Sequence, residues 1–462
     1  AGTIKDKSGN TSREQSFDLG RMDSTLPEVY EIQKTKNATA KTETIIFNVT
    51  DRNYDPTDLV EASEISVYVD GIQVSGITKT LTYKEIKANI DETVKTLGHQ
   101  YTLVLSNIVE SSKQSGKSYL EGSGTLQIKI AANASKDLNG NTLNTATTTI
   151  GDFIDFIKPE IERVTVTNPI NTTKKTYTMS FKTIDKYINT TKKIAESDIK
   201  VYIDGEEATS ISKKLTSTAI TATVNKTING SVVTGSSQTV GYTYTLVLSN
   251  FEQSTKQSGK SFKEWSGTVK IEIAQSAVKD TTGNTLASAA TFTGDNVDFI
   301  KPVIERVSAT SNTSAKTQTI TFNVYDKYID TTKTLASSEV TVYVDGQAAT
   351  GITKTVTRVK NFTATVNGDS THVVGQQYQV VLSGFEQSTR KSGDYYKNWS
   401  GTVKIEIAQT AFKDTSSNTL ASESASRTVQ GAFSDLLKPE FTYKASTTTI
   451  GNGNNGNTKK VT

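Results

Sequence analysis

Cysteine is absent from this 462-residue chain, and histidine, methionine and tryptophan occur only twice each. The first absence excludes disulfide staples and a thiolate nucleophile. The two imidazoles, His99 and His372, lie in different segments and cannot form one site; both read as loop residues ahead of strands. No apolar run approaches the roughly 18 residues that a membrane helix needs. Neither sign of charge dominates: 51 basic and 48 acidic residues leave a net charge of +3. No basic or acidic block stands out, so nucleic acid and membrane surfaces are not expected partners. Proline is scarce, at 6 residues.

What the chain has instead is repetition. KDKSGNTS, KDLNGNTL, KDTTGNTL and KDTSSNTL carry their aspartates at 6, 137, 280 and 414, so they are spaced 131, 143 and 134 residues apart. Other stretches keep the same register. YTLVLSN begins at Tyr101 and Tyr244, and YQVVLSG at Tyr378; VYVDG or VYIDG ends at Gly71, Gly205 and Gly346. A fixed period of this length marks a tandem array of small domains. The register predicts the end of one repeat at 1–22, complete repeats at 23–154, 155–297 and 298–434, and the start of another at 435–462. A longer protein is expected around this window.

Within a repeat the apolar pattern has a period of two. In GTVKIEIA, Val403, Ile405 and Ile407 alternate with Lys404 and Glu406. Val269, Ile271 and Ile273 copy that pattern, as do Leu126, Ile128 and Ile130, and Ile320, Phe322 and Val324 show it in another segment. Such alternation predicts half-buried antiparallel strands. The Asp-Gly of VYVDG predicts a tight hairpin, because both central positions of that turn favour positive φ. Seven to nine short strands in about 135 residues, separated by Gly, Asn, Asp and Ser, predict a β-sandwich. The fold class is therefore expected to be all-β, a tandem array of β-sandwiches forming an elongated rod. The middle repeat carries extra residues, NKTINGSVVTGSSQTV, which predict a longer hairpin. It reads as a tolerated surface insertion or as a binding loop.

The stretch GTVKIEIAQTAFKDTSSNTL resembles the last strands of the bacterial immunoglobulin-like repeats of cell-surface proteins, including surface-layer types. The resemblance implies that the sandwiches are immunoglobulin-like, and that the chain is an extracellular, surface-located stalk, fibre or surface-layer spacer. Its partners would be neighbouring repeats and like subunits. The alternative it implies is an adhesin that holds a glycan or protein through its loops.

The catalytic search is negative. SGKS at 115–118 and 258–261 lacks the earlier glycine and the helix of a phosphate loop. Trp265 and Trp399, just before the GTVKIEI strands, read as core or rim packing. Lys158, Lys301 and Lys438 precede proline. Leu26 stands at the equivalent place in the first repeat, so an internal lysine–asparagine crosslink is not expected. No nucleophile–base–orienter set is visible, and the chain is expected not to be an enzyme.

Aspartate is patterned more tightly. The second strand of each repeat ends in Asp, with Asp or Asn four residues on: Asp51 and Asp55, Asp185 and Asn189, Asp326 and Asp330. A linker aspartate opens each repeat (Asp23, Asp155, Asp298), and the repeated turn supplies Asp137, Asp280 and Asp414. A sandwich of this topology brings all four to one pole, at the junction with the preceding repeat. Two readings stand. These residues are turn formers that cap their own backbone, or they hold a cation. An oxygen-only donor set selects Ca²⁺ over a transition metal. The EF-hand spacing is not met.

Overall fold

The computed structural model describes residues 4–11, 23–108, 123–143, 147–229, 231–252, 265–385 and 399–436. The SGKS stretches, Lys438 and residues 437–462 lie outside the described residues, as does most of 1–22. In the first sandwich β1 (Glu28–Asn37), β2 (Thr42–Thr50), β5 (Thr78–Ile90) and β6 (Thr93–Ser106) make one sheet, ordered β1-β2-β6-β5. The second sheet, ordered β4-β3-β7-β8, takes β3 (Ile65–Val69), β4 (Ile72–Gln73), β7 (Ser123–Ile130) and β8 (Thr147–Asp155). Every pairing is antiparallel. This is the two-sheet arrangement of immunoglobulin-like domains, with a short extra strand on the second sheet.

The pattern recurs twice. The second sandwich pairs β9 (Glu160–Val164), β10 (Ile170–Asn171), β11 (Thr176–Ile184), β14 (Ser212–Ile228) and β15 (Ser231–Ser249). Facing them are β12 (Ile199–Ile203), β13 (Glu206–Glu207), β16 (Gly267–Ile273) and β17 (Ala290–Val297). In the third, β18 (Val303–Asn312), β19 (Thr317–Tyr325), β22 (Thr353–Val366) and β23 (Asp369–Ser383) face β20 (Val340–Val344), β21 (Gln347–Ala348), β24 (Gly401–Ile407) and β25 (Thr428–Ser434). Among the described residues no helix is long and apolar enough to cross a membrane.

The alternation seen in the sequence builds three separate cores. Val403, Ile405 and Ile407 are fully buried, as are the matching residues of β7 and β16. Each such side chain contributes about 1.5–3 kcal/mol on burial. The Asp-Gly hairpins take positive φ at both residues, 47° and 77° at Asp70-Gly71. That turn twist matches the strands it joins. Phe156 packs into the first core and Phe299 into the second. The linker aspartates Asp155 and Asp298 therefore sit where one sandwich ends and the next begins.

His99 is not a loop residue. β6 starts at Thr93, well before Tyr101, so His99 lies within the strand and is 2% exposed. Its Nδ1 is 3.1 Å from the Tyr54 hydroxyl, and its ring meets Tyr83 edge-on. His372 also lies in a strand, β23, with Nε2 2.7 Å from the Lys327 carbonyl oxygen. Trp265 packs in the second core and donates from Nε1 to Ser210 Oγ, while Lys158 and Lys301 are exposed.

One core position differs in kind. Glu43, Tyr177 and Gln318 share a register near the start of the second strand, opposite Leu105, Leu248 and Leu382. Each reaches the last strand: the Asp152 amide donates to Glu43 Oε1, the Asp295 amide to the Tyr177 hydroxyl, and Gln318 Nε2 to the Ala432 carbonyl. Glu43 is fully buried, and its Oε2 has no hydrogen-bond partner. Burial pushes its pKa up, only partly countered by the Asp152 amide. A carboxyl raised in the folded state destabilises it once ionised. Stability is therefore lost as pH rises from the ordinary glutamate range through the folded-state value. Glu43→Gln should raise the stability of the first sandwich near neutral pH and flatten its pH dependence. Thermal melts of both forms at pH 4 and pH 8 check this, and equal pH slopes would refute it.

Candidate functional site

The site lies where consecutive sandwiches meet. Asp70, in the hairpin turn of the first sandwich, is 0% exposed. The Thr125 amide donates to its Oδ1 at 3.0 Å. Lys186, just after β11 of the second sandwich, donates from Nζ to Asp70 Oδ2 and to the Ser123 carbonyl, both at 2.7 Å. The Tyr187 hydroxyl adds a bond to Oδ2 at 2.9 Å. Burial, followed by the Asp70 charge, pushes the Tyr187 hydroxyl's pKa up, so it remains a donor.

The same parts recur at the next junction. Lys327 Nζ reaches Asp204 Oδ2 at 2.5 Å and the Ser266 carbonyl at 2.7 Å, and the Tyr328 hydroxyl reaches Asp204 Oδ2 at 2.8 Å. Burial pushes Asp204 up. Its bonds to Lys327, the Thr268 amide and Tyr328 outweigh that and hold it below the ordinary value. Gly124 and Gly267 make room for these carboxylates. A Cβ at either would stand 2.1 Å from an Asp oxygen, and the φ values of 147° and 141° disfavour a side chain in any case. Asp345 of the third sandwich shares two of these features, the Thr402 amide at 2.8 Å and the close approach of Gly401, but is exposed.

The long middle hairpin belongs to this site. Near its tip, Thr227 donates to Asp70 Oδ1 from its amide at 3.0 Å and from Oγ1 at 2.9 Å. Val232 packs so closely on Gly71 that a Cβ there would be 2.8 Å away. The extra residues form a brace between two sandwiches.

Beside each of these two lysine–tyrosine–aspartate locks lies an aspartate triad, and a third triad stands at the start of the first sandwich. Asp155, Asp185 and Asp280 each place a carboxylate oxygen within 4.8 Å of the others, as do Asp298, Asp326 and Asp414, and Asp23, Asp51 and Asp137. The elements explain the meeting: the end of the last strand, the end of the second strand, and the KD turn bridged to Tyr54, Ile188 or Ile329. Ser123 Oγ donates to Asp155 Oδ1 at 2.8 Å, and Ser266 Oγ to Asp298 Oδ1 at 2.9 Å. Backbone amides satisfy Oδ1 of Asp185 (from Tyr187) and of Asp280 (from Thr282 and Asn284). Burial, opposed by the Ser123 bond and reinforced by the Asp280 charge, pushes Asp155 up to about 7. Asp185 is pushed up to about 8 by burial and then by the Asp155 charge. Asp298 is pushed up to about 6 by burial and then by Asp414, and Asp414 itself is raised. Two ionised carboxylates at such a separation repel by about 3 kcal/mol at an effective dielectric near 20.

Asp55, Asn189 and Asp330 do not join the triads. The backbone amide of each pairs with the carbonyl of the lysine preceding the motif aspartate. Its side chain therefore shares that lysine's side of the bridge, away from Asp137, Asp280 or Asp414. The Oδ1 of each instead accepts from the amide and hydroxyl of a threonine two residues on: Thr57, Thr191 and Thr332. These three side chains cap their own turns.

No protein-family model matches the chain, and no curated protein matches it. Among solved structures it is similar to native alpha-2-macroglobulin from Escherichia coli, in a crystal structure spanning domains MG0-NIE-MG1. The identity is 10%, the match covers 84% of this chain and 96% of that one, and the TM-score is 0.15. The fold and the site therefore rest on the sheets and contacts described above.

Sequence reasoning singled out the VYVDG turn and the residues after the second strand, but joined neither to a lock. The signal was present. Asp-Lys-Tyr stands at 185–187 and 326–328, and Ser-Gly precedes each penultimate long strand at 123–124, 266–267 and 400–401. The first sandwich has Arg52 and Asn53 where the others have lysine and tyrosine.

Proposed function

We propose that this chain is a non-catalytic structural segment of a bacterial cell-surface or secreted protein. Its repeats act as a spacer that holds other parts at a set distance. The observation that carries this reading is the lock, which places the same four polar groups at two successive junctions, with the lysine and aspartate buried at the first and part-buried at the second. An ion pair taken out of water and held by further hydrogen bonds is costly to separate once made, which suits a stiff spacer better than a hinge. An adhesin reading drew support from the long hairpin, and Asp70 and Gly71 now account for the hairpin's tip.

Paired spin labels at exposed positions in the first and third sandwiches test the proposal. The expected distance distribution is narrow in the wild type and broad in the Lys186→Ala/Lys327→Ala double variant. A broad distribution in the wild type would refute the spacer.

A further inference from the structure

We propose that the two buried triads, Asp155–Asp185–Asp280 and Asp298–Asp326–Asp414, are Ca²⁺ sites built into the junctions. Crowded carboxylates alone would not carry this. The second observation is that oxygens in these triads are buried without a protein partner: Oδ2 of Asp155, Asp185 and Asp298. Those residues are 5%, 2% and 9% exposed. A desolvated acceptor is costly unless something donates to it or coordinates it. The nearby cation cannot serve, because Lys186 is held by Asp70 and the Ser123 carbonyl.

The donor set names the ion class. Carboxylate oxygens with no sulfur or imidazole among the triad ligands suit a hard divalent cation. Oxygens across a Ca²⁺ ion lie about 4.8 Å apart, given Ca–O bonds of roughly 2.4 Å; Mg²⁺, at about 2.1 Å, demands tighter and more regular packing. The triad oxygens lie within 4.8 Å of one another, a span that one ion of either size can bridge, so the preference for Ca²⁺ rests on its tolerance of irregular oxygen cages. The ion completes its sphere with water and neighbouring backbone oxygens.

The first triad differs. Asp23 and Asp51 are only partly buried. Asp23 accepts from Thr25 and from the Asn53 side chain, and Asp51 from the Asn53 amide. That triad binds more weakly. The proposal rests on the spacer reading in one respect: the linker aspartates Asp155 and Asp298 tie each ion to the junction. The two ideas fail separately, because ion stoichiometry reads the sites and label distance reads the spacer.

The test is calorimetric titration of the full chain with CaCl₂ after exhaustive chelation, in parallel with thermal melts. Two tight equivalents are expected, with melting raised in Ca²⁺ and less affected by equal Mg²⁺. Asp185→Asn should remove one equivalent, and Asp326→Asn the other. Each Asn variant should melt higher than the wild type in chelator, since it relieves repulsion, yet lose its Ca²⁺ response. That pairing separates a ligand role from a structural one. Absence of tight Ca²⁺ binding to the chelated wild type would overturn the proposal, as would undiminished stoichiometry in both variants.

Discussion

Lys186→Ala is expected to cost about 3–5 kcal/mol, because it leaves Asp70 charged, buried and without its cation. The side chains of the pair are 4% and 1% exposed. Water therefore cannot replace the ammonium without reopening the junction. Thr125 and Thr227 both donate amide hydrogens to Asp70 Oδ1. Their hydrogen exchange should quicken in the variant, while the core strands β2 and β6 keep their protection. Lys327→Ala should cost less at the second junction, where the side chains are 13% and 6% exposed and the partner hairpin lacks the extra length. A double-mutant cycle with Asp70→Asn isolates the pair itself. Unchanged exchange at Thr125 and Thr227 would mean that Lys186 contributes nothing to the joint.

Phe322→Ala should cost a further class of energy, about 3–5 kcal/mol, through a cavity. Phe322 is fully buried and stacks on Tyr378 at 5.9 Å, which in turn meets Phe412 edge-on at 5.2 Å. The damage should stay in the third sandwich, because the three cores share no residue. Hydrogen exchange of the whole chain should show β19, β23 and β24 losing protection while β2, β7, β11 and β16 retain it. Loss of protection throughout would show that the sandwiches unfold as one unit.

Much of this architecture could be read from the amino-acid order. GTVKIEI is a strand because period-2 alternation leaves no other way to bury Val403, Ile405 and Ile407 together. The positive-φ turn follows from Asp-Gly. The meeting of Asp298, Asp326 and Asp414 follows from topology once the strands are assigned. Two things were harder to see. Asp55, Asn189 and Asp330 look equivalent to the triad residues along the chain, but a one-residue step on an extended bridge turns a side chain to the opposite face. The lock was hidden by distance, since Lys186 and Asp70 are separated by 116 positions. Each also has a sufficient local explanation, one as a turn former and the other as a solvated lysine. His99 was misread because its strand begins before the obvious apolar run.

The lock is directional. The second sandwich offers Lys186 and Tyr187 toward one neighbour and the Asp204 acceptor toward the other. Donor and acceptor are thus different surfaces of one unit, which is a heterologous contact that can repeat from unit to unit. Duplicating the second or third repeat, or deleting the second, leaves a lysine–tyrosine donor still facing an aspartate acceptor, so no new interface has to be invented. Recombination between repeats would therefore change the number of sandwiches in steps of one, and under the spacer proposal length becomes a property that a lineage can adjust without touching the joint.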